Sequence, residues 1–411
     1  MKTKHYRWLI VGVGVLVKMA SLGFGRFAYS LLLPYMRGSL GFNYIQMGLL
    51  SGGILLGYLL FSFISGLLTT RFGSKKVVIA SLLCSSLSMF WLSQLSHFVS
   101  LLLLTFTMGA AAGGAHISMT TLPMVWFERH HLGRAVGIIT GGTGLGILIT
   151  GAVLPFFLVS RGREGWRECW MLMAAFSVLV AFIAFAFLRD RPIESQGAQP
   201  ESSEQGIVSQ EKSRGSGLSL RLIFVVYFVF GFAYIIYATY YVAFLVEDVG
   251  LSAKSAGEIW AVFGWMCMGS GLVWGFISDR AGRRNALLWN NALISLAVLL
   301  PLCLHQPVFL TLSTFLFGFT FIGTVAVIAA MIGDQAGGKR ASVYGLLTLI
   351  HGIGQFLGTT SGGYLKDLTG SFQMSFLSSL AGFILCLILI VLGRKKGEGL
   401  NPFTLPSGLS L

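Results

Sequence analysis

From Trp8 to Gly393 the chain is an almost unbroken succession of apolar runs. Each is roughly 20 residues or longer, the length a helix needs to cross a hydrocarbon core of about 30 Å. Only 11% of residues are charged and 55% are hydrophobic, whereas soluble domains carry about 25% charged residues, so a soluble fold is excluded. The runs fall at 8–36, 44–68, 76–95, 99–127, 134–158, 168–188, 221–246, 253–278, 285–304, 307–332, 341–365 and 373–393. The expected fold class is all-α integral membrane, with twelve transmembrane helices and both termini on one side.

The net charge of +14 does not point to nucleic acid, because the basic residues sit beside helix ends. Of the 29 Lys and Arg, 21 fall on the side shared by the termini, 6 on the other and two inside a span. By the positive-inside rule the termini are expected to be cytoplasmic. The first span carries Lys18 and Arg26 and is too long for the apolar region of a cleaved signal, so it is expected to stay in the mature protein. Five cysteines (Cys84, Cys169, Cys267, Cys303, Cys386) show no metal-type spacing and suggest neither a disulfide framework nor a zinc site.

The stretch from 189 to 220 is polar, rich in Ser, Gln, Glu, Arg and Gly, and reads as a disordered cytoplasmic linker. The expected organisation is a six-helix bundle over 1–189, a linker over 190–220, a second six-helix bundle over 221–395 and a cytoplasmic tail over 396–411. An offset of 208 or 209 residues superposes the two halves. It brings Gly23, Phe24 and Tyr29 onto Gly231, Phe232 and Tyr237, and Gly48 and Gly66 onto Gly257 and Gly275. It also brings Thr105, Phe106 and Gly109 onto Thr314, Phe315 and Gly318, and Gly137, Thr140, Gly144 and Gly146 onto Gly345, Thr348, Gly352 and Gly354. An even number of spans per half makes these parallel repeats, related by an axis along the membrane normal, with a cavity between them.

After the second span comes Gly66-Leu-Leu-Thr-Thr-Arg71-Phe-Gly73-Ser-Lys75-Lys76, and after the eighth Gly275-Phe-Ile-Ser-Asp279-Arg280-Ala-Gly282-Arg283-Arg284. The glycines allow close helix contact and a tight turn, the basic residues anchor the loop, and Asp279 is placed to pair with an Arg. This pattern resembles the loop motif of the major facilitator superfamily, Gly-x-x-x-Asp-Arg-x-Gly-Arg-Lys/Arg, over residues 1–395. The first copy departs from it by having Thr70 in the Asp position. Gly165-Trp166-Arg167 and Gly354-Gln355 also look like the superfamily. Gly23-Phe-Gly-Arg26-Phe-Ala-Tyr29 and Gly231-Phe-Ala-Tyr234-Ile-Ile-Tyr237 look like its YbfB/YjiJ-type bacterial branch. The resemblance implies a rocker-switch transporter in which the first, fourth, seventh and tenth spans line the path. It also implies a conformational latch at Gly66, Arg71, Gly73, Gly275, Asp279, Arg280, Gly282 and Arg283.

Intramembrane polar residues on those spans are the candidate site. Lys18 and Arg26 lie roughly 15 Å from the inner and outer ends of the first span. A charge near mid-membrane costs about 2.5 to 3.5 kcal/mol on a translocon scale, so water or an anion is expected to compensate each. Eight α-helical residues correspond to about 80° of rotation, which lets both border one aqueous cavity with Tyr29 a turn beyond. Snorkelling is the plainer alternative for Lys18. His116 and His351 are candidates to bind an anion or carry a proton, or simply to bond neighbouring helices. Tyr234, Tyr237 and Tyr241 form one stripe on the seventh span, expected to face the first; Thr324 and Gln355 add neutral hydrogen bonds. Phe315, Phe317, Phe319 and Phe321 alternate and cannot share one helix face.

Of fifteen acidic residues only Glu258 lies inside a span, so the cavity is expected to be cationic. Arg26 then suits a carboxylate and the tyrosines an apolar body. The expected function is secondary active transport of a small organic anion, with His116, His351 and Glu258 as candidates for proton coupling. The carboxylate carriers of the superfamily used for comparison have a basic residue deep in the eighth span. Ala261 to Ser270 has none, which counts against the monocarboxylate subclass. The alternative is proton-linked efflux of lipophilic drugs, suggested by the glycines from Gly141 to Gly151. An enzyme or sensor would need a catalytic or metal-ligand cluster, and none is seen in the spans. No phosphate-binding loop occurs, so ATP is not expected as a partner. The expected partners are a small solute and the lipid bilayer, with no cofactor and a monomeric chain in a bacterial inner membrane.

Overall fold

A computed structural model describes residues 2–190, 218–335 and 340–393. The expected linker falls almost wholly, and the tail entirely, outside the described residues. Among them are twelve long helices. The first, α1, is one rod in three pieces: α-helix Lys2–Lys18, π-helix Met19–Phe27 and α-helix Ala28–Leu40. Then follow α2 (Tyr44–Phe72), α3 (Ser74–Gln94), α4 (Phe98–Trp126), α5 (Arg129–Ser160) and α6 (Gly165–Phe187). The second half comprises α7 (Leu220–Glu247), α8 (Ala253–Ala281), α9 (Arg283–Cys303), α10 (Pro307–Gln335), α11 (Arg340–Thr369) and α12 (Gln373–Leu392).

Eleven of these are long and apolar enough to cross a membrane. The remaining one, α11, is as long at 30 residues but more polar, with Arg340, His351, Gln355, Lys366 and Asp367 along it. Much of that polarity is turned inward, since His351, Gln355, Thr359 and Lys366 are all buried.

Local signals fix the helix starts. Asn43 and Gln46 form a reciprocal capping box at α2, and Ser252 caps α8. Gly73 and Gly282, 209 positions apart, begin α3 and α9 at φ +87° and +86°. Glycine reaches that region without steric cost. The two loop-motif copies therefore share one backbone geometry.

Within the first half α2 packs on α4, α3 on α4 and α6, and α1 on α5; the second half repeats this with α8 on α10, α9 on α10 and α12, and α7 on α11. Two helix pairs carry most of the contact between halves, α5 with α8 and α2 with α11, joined by the outer part of α1 against α7. The first pair touches backbone to backbone. A Cβ on Gly144 would stand 2.5 Å from the Gly264 carbonyl oxygen, and one on Gly151 2.6 Å from that of Gly257. Only small residues allow helices in lipid to approach so closely.

The halves are clasped at the face opposite the termini. Asp367 on α11 accepts from the backbone N–H groups of Tyr44 (2.9 Å) and Ile45 (2.7 Å) in the first turn of α2, where the helix dipole favours a carboxylate. Arg37 meets Glu247 at 3.5 Å and lies over the Tyr44 ring. Tyr44 in turn packs edge-on against Phe372. Among the described residues, every hydrogen bond that crosses between halves lies at Arg26 or between Arg26 and this face.

The latch residues make their bonds within their own half. Arg283 binds Asp279, Ser278 (3.0 Å) and Asp334 (3.0 Å), while Arg280 lies over Phe276. In the first copy Arg71 lies over Phe72, and the Asp190 carboxylate accepts from the Lys75 N–H at 2.8 Å beside Gly73. Gly66 and Gly275 have open space where a Cβ would stand.

Candidate functional site

Arg26 sits in the π-helical part of α1 and reaches across to the second half. Its Nη2 donates to the Tyr234 hydroxyl on α7 at 2.9 Å and to Gln355 Oε1 on α11 at 3.1 Å. Tyr234 is the residue 208 positions after Arg26, its repeat mate. Side chains at matched positions of two parallel repeats meet only near the axis that relates them, so this bond places Arg26 at the centre of the molecule.

The guanidinium is incompletely satisfied. Arg26 Nε is buried with no hydrogen-bond partner, and among the described residues no carboxylate pairs with the group. The Tyr58 ring of α2 lies 5.0 Å from Cζ and the Phe27 ring 5.4 Å, a cation–π setting. Phe321 of α10 closes on Phe27 (6.0 Å) and Tyr234 (4.8 Å). Beside Arg26 on the clasped side, Ser51, Ile54 and Thr239 border a void of about 10 Å³, roughly enough for one water.

Lys18 points elsewhere. It is fully buried and its ammonium donates to His116 Nδ1 (2.7 Å), the His116 carbonyl oxygen (3.0 Å) and Thr120 Oγ1 (3.0 Å), all on α4. Three donors meet three acceptors, so snorkelling does not describe it. The expectation of 80° between Lys18 and Arg26 assumed α-helix throughout. The intervening residues are π-helical, with i→i+5 bonds and fewer degrees per residue, so the two cations face different halves. Gly23, whose missing side chain leaves room for either a substrate or a partner helix, is taken up by the helix: a Cβ there would stand 2.6 Å from Gly146 Cα on α5.

Tyr58 links the two cations, its ring 5.8 Å from that of His116. His351 lies on the other flank, stacked 4.0 Å from Tyr227 and 5.6 Å from Tyr234, with Nδ1 2.9 Å from the Tyr227 carbonyl oxygen. The structure thus brings together Arg26, Tyr234, Gln355 and His351, with Lys18 and His116 one side chain away.

The other candidates lie apart. Tyr29 is buried and donates to the Met47 carbonyl at 2.7 Å. Tyr237 bonds Ser313 (2.6 Å) and Tyr241 donates to the Leu310 carbonyl (2.8 Å), both stacked within the second half. Only the first member of the tyrosine stripe faces α1, because the stripe continues into the α7–α10 contact. Thr324 donates to Asn290 Oδ1 at 2.5 Å inside the second half. Glu258 is exposed on α8. Of the four alternating phenylalanines, Phe317 and Phe321 are buried and Phe315 is exposed.

Tyr58, Tyr227 and Thr120 were missed. Tyr58 and Tyr227 fall outside the spans or stripes singled out, and Thr120 lies one helical turn after His116, a spacing that places both on one face.

The family model described as "Uncharacterised MFS-type transporter YbfB" matches residues 18–392. The chain belongs to this family of MFS-type transporters. It is 25% identical to the hexuronate transporter of Bacillus subtilis (strain 168), covering 92% of this chain and 94% of that one. It is also 25% identical to the probable sulfoacetate transporter SauU of Cupriavidus necator, covering 92% and 91%. Among solved structures, a bacterial homologue of the human lysosomal transporter Spinster, inward-facing and unoccupied, superposes with a TM-score of 0.76. That match is 15% identical and covers 96% of this chain and 99% of the other. The YbfB-type chain is thus a multi-pass membrane transporter of the MFS fold and not an enzyme.

Proposed function

We propose that this YbfB-type protein carries a small organic anion across a bacterial inner membrane by alternating access, with Arg26 as the anchor for the anion's carboxylate. The observation that carries this reading is the Arg26 guanidinium on the repeat axis, with no carboxylate partner among the described residues and a buried, unpaired Nε. Burying such a cation is costly unless an anion joins it. Tyr234 and Gln355 hold Nη2 as neutral acceptors. A carboxylate offers stronger, charge-assisted bonds to the same group. Relatives named for hexuronate and sulfoacetate transport, both organic anions, support the class.

With the termini cytoplasmic, as the basic residues favour, the clasp of Asp367, Arg37 and Glu247 is the periplasmic gate. Rocking of the two halves about Arg26 then exposes the site to one side and the other in turn. A monomer suffices for this cycle, because the Arg26 site is built from both halves of one chain. Lys18 and His116 form the leading proton-coupling pair, since they share a hydrogen bond and Tyr58 connects them to Arg26. His351 and the exposed Glu258 rank below them.

Counterflow in proteoliposomes tests the reading. Vesicles loaded with one carboxylate are expected to accumulate trace labelled carboxylate faster than empty vesicles, and an imposed inward proton gradient to raise that rate in wild type but not in His116→Gln. No carboxylate counterflow across a broad panel would sink the anion reading. Indifference of both proteins to the gradient would remove proton coupling alone.

A further inference from the structure

A second site lies outside the transport path. On the outer surface of the first half, α2, α3 and α4 leave an apolar groove of about 490 Å³ lined by Phe61, Leu68, Phe72, Ala80 and Ala110, with Lys76 among its lining residues. Phe72, Lys76 and Ala80 are exposed, so the groove opens outward toward the bilayer. From Lys76 it follows α3 for two turns to Cys84, about 12 Å at 1.5 Å per residue. Its basic end coincides with the first copy of the loop motif.

The two copies of that loop differ in charge. In the second, Arg283 is held between Asp279 and Asp334. At the same offset the first copy has Thr70 and Val125 in place of those two acids and Ser74 in place of Arg283, but it still carries three basic residues, Arg71, Lys75 and Lys76. Asp190 is engaged at the α3 backbone. Among the described residues neither Arg71 nor Lys76 meets a carboxylate. An unneutralised Lys76 thus stands at the mouth of an apolar channel in a chain that lives in lipid, with Arg71 over the ring of Phe72, which lines that channel. Basic pockets between membrane helices suit lipid phosphates, and a carbon-lined groove suits an acyl chain.

We propose that this groove binds an anionic phospholipid, one acyl chain lying between α2, α3 and α4 and the phosphate resting on Lys76 and Arg71. The lipid supplies to the first loop the negative charge that Asp279 and Asp334 supply to the second. Zwitterionic lipid fits the channel equally but gains less at its mouth.

Native mass spectrometry of delipidated protein in detergent tests this with phosphatidylglycerol and phosphatidylcholine of matched chains. Wild type is expected to retain one phosphatidylglycerol in preference to phosphatidylcholine. Lys76→Gln and Arg71→Gln should each cut that preference about five-fold, and Lys76→Arg should restore it. Ala80→Phe, which fills the groove, should weaken both lipids. Equal retention of the two lipids by wild type, or a preference unchanged in Lys76→Gln, overturns the proposal. Because Lys76 and Arg71 are exposed, their variants keep the test decisive even where Ala80→Phe does not fold.

Discussion

Arg26→Gln is expected to reduce saturable anion transport to background in a protein that still folds. A hydrogen bond to a charged group contributes about 1.5 to 3 kcal/mol, and 1.4 kcal/mol is tenfold in affinity. Loss of the guanidinium should therefore weaken anion binding by roughly ten- to a hundredfold. The fold should tolerate the change, because Arg26 bridges the halves with only two hydrogen bonds to neutral partners, and Gln can reproduce one of them. Arg26→Lys keeps the charge but loses the planar fork, so intermediate activity is expected. Uptake by wild-type and variant proteoliposomes reads both effects, and wild-type kinetics in Arg26→Gln would remove Arg26 from the site.

Gly264→Val is expected to be the most damaging change remote from Arg26. A Cβ at Gly264 would stand 2.5 Å from the Gly144 carbonyl oxygen and 2.9 Å from the Ile147 carbonyl carbon. These are backbone atoms that no rotamer change can move aside. Overpacking a tight contact costs about 1 to 3 kcal/mol, and here it wedges apart the α5–α8 pair on which the halves meet. Transport should fall at least about tenfold, with a lower unfolding temperature, while Gly269→Val, on the same helix with open space where a Cβ would stand, should behave as wild type. Equal activity of the two variants would show that the α5–α8 contact is not needed for the cycle.

Much of the fold is legible because lipid imposes it: helices must be apolar and about 20 residues long, and the duplication repeats glycines that touch the same helix pairs. Gly109 and Gly318 show this, one against Ile54 of α2 and the other against Phe263 of α8, and Gly73 and Gly282 adopt the same backbone geometry at the offset read from the residues. The site is less legible. Arg26, Tyr234 and Gln355 stand out as polar residues in apolar spans, and His116 and Lys18 do too, though their mutual bond does not. The π-helix from Met19 to Phe27 turns Arg26 away from the face of Lys18, so a periodicity of 3.6 carried through it wrongly sets the two cations on one cavity and draws Lys18 away from α4. Tyr58 was overlooked for another reason: α2 was not among the spans expected to line the path, yet α2 and α11 bridge the halves. Tyr237 and Tyr241 share a helix face with Tyr234, but spacing alone does not say where that face passes from the interface into the interior of one half.

The most direct test of the anion site is a thermal-shift series on the purified wild-type protein with organic carboxylates, organic cations and neutral metabolites, repeated on Arg26→Gln. A ligand at a hundred times its dissociation constant stabilises the folded state by about 2.7 kcal/mol, which is readily visible as a rise in unfolding temperature. The predicted result is stabilisation by one or more carboxylates in wild type and its loss in Arg26→Gln. Stabilisation by cations or lipophilic compounds instead, unchanged in Arg26→Gln, would contradict the organic-anion function and make Arg26 a structural bridge between the halves.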